Sequence, residues 1–327
     1  MQYRESWLCL DSSKMGDYMR CPRYYFYRHV VGWQQAWPNL DLTFGEAWHI
    51  LREHMIIHGD TRESIEAGMV KFIDCYRKSF SELTDLDHQA KSPGNALLAV
   101  MEYRQEYGEF GKEFKLLHIN GKPATEIYGT VPISNDRVIH FKIDAILQRV
   151  RDNMLVIMDH KTSGNDNPVY DAVWNVCNQF SIYYHAANCM AGMFDMTPND
   201  IYGLIVDKAI LRKPKAEKGK GNKFIRIPIR KSIPIINEWL WTVNRWYDLI
   251  EHDVEKLQTC KPEDHVMECF QKNDKGCIAY NKKCPYYDFC IGWANPLSRV
   301  DTCQDGFVVD FWDPAVIEEG ADNVVRV

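Results

Sequence analysis

FKIDAILQRVRDNMLVIMDHKTS, residues 141–163, decides how the chain is read. Two apolar runs flank the polar turn Arg151-Asp152-Asn153, which predicts strands over 137–149 and 153–161. A further apolar run predicts a strand over 124–133, giving an antiparallel meander. Side chains alternate faces along a strand, so Asp159 and Lys161 point the same way, and Asp144 is carried by the strand before. Two carboxylates and a lysine at one sheet rim suit a hard divalent cation, Mg²⁺ or Mn²⁺. A lysine beside such a cation orients or deprotonates an attacking water, or neutralises charge developing on a phosphate. The expected fold class is α/β, a mixed central sheet flanked by helices.

Around this meander the pattern is helical. A helix over 43–58 places Gly45, His49 and Glu53 on one face, and His49 is a candidate nitrogen ligand for the cation. Helices over 61–82, opened by Thr61, and over 94–110 are expected to form a layer on the sheet. Glu126 on the first strand is either a third carboxylate near Asp144 or an ordinary surface glutamate, and it ranks below the other ligands. A helix over 169–195 puts Gln179 and Tyr183, four residues apart, on one face. The helix over 231–258 carries Trp239, Trp241 and Trp246, expected in the core.

Charge is distributed unevenly. The 327 residues carry a net charge of -6, which argues against an indiscriminate polyanion binder. Residues 208–231 nevertheless hold ten Lys or Arg against one acidic residue, Glu217. Strands at 200–212 and 223–230 would form a hairpin whose tip, RKPKAEKGKGNK, is a cationic arm. Lys208, Arg212, Lys213, Lys215, Lys218, Lys220, Lys223 and Arg226 are the candidates for contact with nucleic-acid phosphates, which needs no fixed geometry. Residues 299–327 are expected to be an acidic, solvated tail that docks a partner or shields a DNA channel; from 300 to 327 they carry seven Asp or Glu against Arg326. No apolar run reaches the roughly 20 residues of a bilayer span, and the N-terminus lacks the pattern of a signal peptide, so no membrane partner and a cytoplasmic location are expected.

Eleven cysteines without a secretion signal suggest free thiols or metal ligands. Cys277, Cys284 and Cys290 fall within fourteen residues of loop-like sequence. The paired C-x-x-C spacing of zinc knuckles is absent from this segment. Cys21 lies far upstream on a helix expected over 12–32, opened by Ser12 or Ser13 and ended by Gly32.

Together these residues resemble the PD-(D/E)xK nuclease core, in the RecB/AddB-like iron–sulfur exonuclease family that also includes CRISPR-associated accessory nucleases. Asp144 and Asp159-His160-Lys161 match the core itself. Gly45-Glu46-Ala47-Trp48-His49 matches the G-x-x-x-H motif, Gln179-Phe180-Ser181-Ile182-Tyr183 the Q-x-x-x-Y motif, and Cys21-Pro22-Arg23-Tyr24-Tyr25 the N-terminal cysteine element. The matches run in family order over residues 12–293. The resemblance implies a restriction-endonuclease-like core in one nuclease domain over 1–298, with the catalytic part at 120–230. It implies metal ligation by His49, Asp144 and Asp159, catalysis with Lys161, and strand positioning by Gln179 and Tyr183. It further implies a [4Fe–4S] cluster on Cys21, Cys277, Cys284 and Cys290, a staple joining segments 12–32 and 270–293. Six residues separate Cys277 from Cys284 where two is the commoner family spacing, so Cys269 is the alternative ligand; zinc or plain thiols are the other readings of the quartet.

The expected function is metal-dependent DNA exonuclease action on single strands or duplex ends, in recombination, repair or replication in a bacterial or phage-infected cell. The competing readings are a non-catalytic DNA-end scaffold and a CRISPR-adaptation nuclease. With no G-x-x-x-x-G-K-[ST] loop in the chain, a helicase, recombinase or single-strand-binding protein is the expected partner.

Overall fold

The computed structural model describes residues 2–213, 221–279 and 282–326. The chain groups into two compact units. One contains Met1–Trp37, Gly129–Phe141 and Ile233–Arg326, the other Pro38–Tyr128 and Lys142–Ser232.

The second unit is built on strand Leu155–Ser163, whose run Leu155–His160 is buried throughout. A strand covered on both faces reads as a continuous apolar stretch, and Leu155-Val156-Ile157-Met158 is one. It pairs antiparallel with Val138–Arg149 and parallel with Ile201–Ile210, which pairs antiparallel with Lys223–Ile229. The mixed sheet of this unit runs Thr125–Pro132, Val138–Arg149, Leu155–Ser163, Ile201–Ile210, Lys223–Ile229, and Phe114–Leu116 also pairs with Val138–Arg149. The parallel ladder shifts register between Leu155 and Val156. Opposite it stands Gly203, with φ 130° and the Ile229 carbonyl oxygen 2.5 Å from where a Cβ would be, so no side chain fits there.

Helices Leu40–His58, Arg62–Tyr76 and Pro93–Tyr107 are capped by Asn39, Thr61 and Ser92, whose side chains accept from the first-turn amides. Phe44, Trp48, Phe72 and Tyr76 pack with Ala209 and Phe224 of the hairpin strands. The helix expected over 169–195 is interrupted. A turn at Pro168–Asp171 and a 3₁₀ turn at Ala172–Asn175 precede Asn178–Met190, and Cys177 is extended between them.

In the first unit the helix expected over 12–32 breaks at Cys21. Ser12–Arg20 is capped by Asp11 rather than by a serine. Cys21 is extended (φ -167°, ψ 113°), and Pro22–Tyr25 starts a new helix. Proline clashes with a helical residue before it, so Cys21-Pro22 is the sequence signal for the break. Gly32 ends the segment at φ 81° with the Phe311 ring against it. In helix Ile233–Leu257, Trp239 is buried but Trp241 is 67% exposed, contrary to its expected core role.

The acidic C-terminal segment is not a solvated tail. Phe307–Val309 pairs with Trp33–Gln35, Pro314–Glu319 is a helix, and buried Glu318 lies 2.9 Å from His140 Nδ1. Its aromatic and β-branched residues outweigh its charge. Among the described residues no helix is long and apolar enough to cross a membrane.

Candidate metal centre

The ladder between the Asp144 and Asp159 strands ends at the pair Ala145–Met158. One step beyond, the His160 N–H donates to Asp144 Oδ2 at 2.8 Å. Asp144 and Asp159 therefore leave regular pairing side by side, each of them buried. His49, from the middle of helix Leu40–His58, brings Nδ1 to 3.2 Å from Asp144 Oδ2. Glu126 completes a cluster. His49, Glu126 and Asp144 each offer one ligand atom, all within 4.8 Å of one another.

Glu126 has φ 46° inside strand Thr125–Pro132. A non-glycine residue in the left-handed region is uncommon and costs about 1–2 kcal/mol; such outliers gather at functional sites. From sequence Glu126 ranks below the other ligands, because a glutamate near a strand start reads equally well as a surface residue, and strand alternation does not signal a local backbone reversal. Lys142 was missed. It lies two residues before Asp144, hence on the same strand face, and its ammonium pairs with Glu126. Glu53, one turn beyond His49, accepts from the Thr125 hydroxyl at 3.0 Å.

Lys161 Nζ is 3.1 Å from Asp159 Oδ1 and 2.9 Å from Oδ2. The second contact lacks hydrogen-bond geometry, so Oδ2 is a buried oxygen without a hydrogen bond. Gln179 Nε2 donates to the Tyr183 hydroxyl at 2.9 Å and reaches Asp159 Oδ1 at 3.4 Å. Tyr183 is buried, so its hydroxyl braces Gln179.

The electrostatics follow from burial and mutual charge. Burial, with the Asp144 charge nearby, pushes Asp159 up to about 6 despite Lys161. Burial also disfavours the Asp144 charge, but His49 and Lys161 hold its carboxyl well below the usual carboxylate range. Burial opposes protonation of His49, yet the Asp144 carboxylate raises its pKa. Burial raises Glu126, against the pull of Lys142. One imidazole nitrogen and the carboxylates of Glu126 and Asp144 form a donor set that fits a hard divalent cation; Asp159, expected as a ligand, lies outside that 4.8 Å group, with its Oδ2 buried and orphaned.

The hairpin cations divide. Lys208 is buried in an ion pair with Asp171 at 2.6 Å, and Arg226 pairs with Glu113 and donates to Tyr103 at 2.7 Å. Both lie inside strands, where the sheet draws their charges inward, away from the phosphate-contacting place expected of them. Arg212 and Lys223 both meet Asp166 at 2.7 Å, while Lys213 is exposed. Lys215, Lys218 and Lys220 lie outside the described residues.

Of the cysteines, Cys21, Cys277, Cys284 and Cys290 gather. Burial raises the Cys284 thiol, with Cys21 and Cys277 nearby, and raises the Cys290 thiol, with Cys21 and Cys284 nearby. The Cys284 amide donates to the Cys277 carbonyl at 2.8 Å, and Gly276 packs on Cys21. Cys269, the alternative to Cys277, sits instead with its sulfur 3.8 Å from that of Cys260.

The family model of the PD-(D/E)XK nuclease superfamily matches residues 12–290. No curated protein matches the chain.

Proposed function

We propose, because the chain belongs to the PD-(D/E)XK nuclease superfamily, that it is a divalent-metal-dependent deoxyribonuclease acting exonucleolytically on single strands or duplex ends. The observation that carries this reading is the convergence of His49, Glu126 and Asp144 within 4.8 Å, beside Asp159 and Lys161. His49, Asp144, Asp159 and Glu126 are the residues to hold Mg²⁺ or Mn²⁺. When bound, the cation supplies Lewis acidity toward the scissile phosphate and its leaving oxygen.

The rest is done by the chain. Lys161, partly open to solvent beside Asp159, places a donor where a water or a phosphate oxygen would sit. Gln179 is held by Tyr183 with its amide toward Asp159, which fixes the Lys161–Asp159 pair from the helix side. Lys213 and the arm beyond it supply charge for the strand backbone. A helicase, recombinase or single-strand-binding protein would deliver the ends.

The test is cleavage of end-labelled single-stranded DNA with Mn²⁺. Asp159→Ala and Lys161→Ala abolish cleavage and retain DNA binding; metal-dependent cleavage surviving in both would refute the site. Labels at 5′ and 3′ ends read the polarity.

We further propose that Cys21, Cys277, Cys284 and Cys290 hold a [4Fe–4S] cluster, which the gathering of the four thiols supports. Anaerobically purified protein should carry iron and sulfide, and Cys284→Ala should lose both together with soluble yield. A colourless, iron-free wild type of full solubility would contradict the cluster.

A further inference from the structure

We infer that Asp207 is a positioning residue, a buried carboxylate behind the metal rim that ties the His49 helix to the Asp159 strand and so sets the spacing of the ligands they carry. The inference rests on the rim being a metal site.

Asp207 is 3% exposed. It stands beside His160 in the parallel ladder, on the sheet face opposite Asp159 and Lys161. Its Oδ2 lies 3.0 Å from His160 Nδ1 and 3.3 Å from Arg52 Nη2. The Tyr103 hydroxyl is 3.0 Å from Oδ2 and 3.1 Å from Oδ1, and Arg226 Nε is 3.6 Å from Oδ1. Arg52 is fully buried, with its guanidinium carbon over the Tyr103 ring, 4.0 Å from its centroid.

Two of these contacts lead to the rim through a single residue. Arg52 follows His49 by three positions on the same helix, so fixing the guanidinium fixes the turn that presents the imidazole. His160 lies between Asp159 and Lys161, and its own amide holds Asp144 Oδ2. One carboxylate therefore joins the element bearing His49 to the element bearing Asp159 and, through the His160 backbone, to Asp144. The network is costly as a stabilising device. Buried ion pairs are often no better than apolar packing, and His160 Nε2, Arg52 Nε and Arg226 Nε are buried without a hydrogen-bond partner. What it provides is geometry, since partners behind metal ligands orient the ligands in front.

The test uses the full chain, with Mn²⁺ as the probe. Calorimetric titration without DNA measures Mn²⁺ affinity of the wild type, Asp207→Asn, Arg52→Lys and Tyr103→Phe, with thermal melts and metal-free DNA binding alongside. Asp207→Asn and Arg52→Lys are expected to weaken Mn²⁺ binding about tenfold or more while metal-free DNA binding is unchanged. Tyr103→Phe, which breaks neither tether, lowers the melting temperature and leaves Mn²⁺ affinity alone. Wild-type Mn²⁺ affinity in folded Asp207→Asn or Arg52→Lys overturns the inference, and so does an equal loss in Tyr103→Phe, which would mark general loosening. If Asp207→Asn does not fold, Arg52→Lys decides, because it leaves the Asp207–His160 bond in place. A wild type that binds no Mn²⁺ refutes the metal rim itself; one that binds Mn²⁺ with Asp207→Asn unaffected refutes only the positioning.

Discussion

Glu126 shows what a single residue contributes to the rim. Its left-handed backbone is unfavourable for any side chain with a Cβ, and glycine alone avoids the penalty. Glu126→Gly is therefore expected to be more stable than Glu126→Ala by about 1 kcal/mol, read from urea midpoints, and both should bind Mn²⁺ more weakly than wild type. Equal stability of the two would mean that the backbone is not strained there. Asp207 has a signature in acid. Burial opposes its charge, but the His160 hydrogen bond and the Arg52 charge hold its carboxyl well below the ordinary range. A carboxyl depressed on folding stabilises the protein fully above its unfolded pKa, near 4, and ceases to as pH falls through the folded value. Wild type should exceed Asp207→Asn by about 3–5 kcal/mol at pH 7, and the gap should shrink below about pH 4. A gap that is constant with pH would contradict an ionised Asp207.

Among the elements, the meander was legible in the sequence because its signals are local. Alternation put Asp159 and Lys161 on one face, and the turn at Arg151-Asp152-Asn153 is where the chain reverses, with Asn153 at φ 58°. The helix bearing His49 and the Thr61 cap were legible for the same reason. What escaped depends on contacts distant in sequence. Asp207 sits within an apolar run and Arg52 reads as one more polar residue of a mixed helix, and neither shows a pattern until the fold brings them together. The break at Cys21 was readable from Pro22 but was overridden by the helical period around it. The end of that segment yields a prediction. Gly32→Ala puts a Cβ into a left-handed residue with the Phe311 ring 2.8 Å away, and should destabilise by roughly 2 kcal/mol or more, seen as a lower melting temperature. An unchanged melt would mean that the Phe307–Val309 segment is not docked as described.

Over the whole molecule the sequence overstated two charged regions. The acidic C-terminal residues read as a solvated tail, yet Asp313 caps a helix and Glu318 is buried against His140. The basic hairpin read as a row of phosphate contacts, yet Lys208 and Arg226 lie in ion pairs, because partners drawn from distant segments consume charge that the sequence shows as free. Charge left on the arm should still govern DNA affinity. Replacing Lys213, Lys215, Lys218 and Lys220 with alanine should lower the slope of log affinity against log salt by roughly 0.7–0.9 for each phosphate that is no longer neutralised, and an unaltered slope would place the DNA elsewhere. The central claim is that His49, Glu126, Asp144 and Asp159 form one metal centre, and a crystal soaked in Mn²⁺ tests it most directly. The account predicts an anomalous-scattering peak among those four side chains; a strong peak elsewhere, with none at this rim, would contradict it.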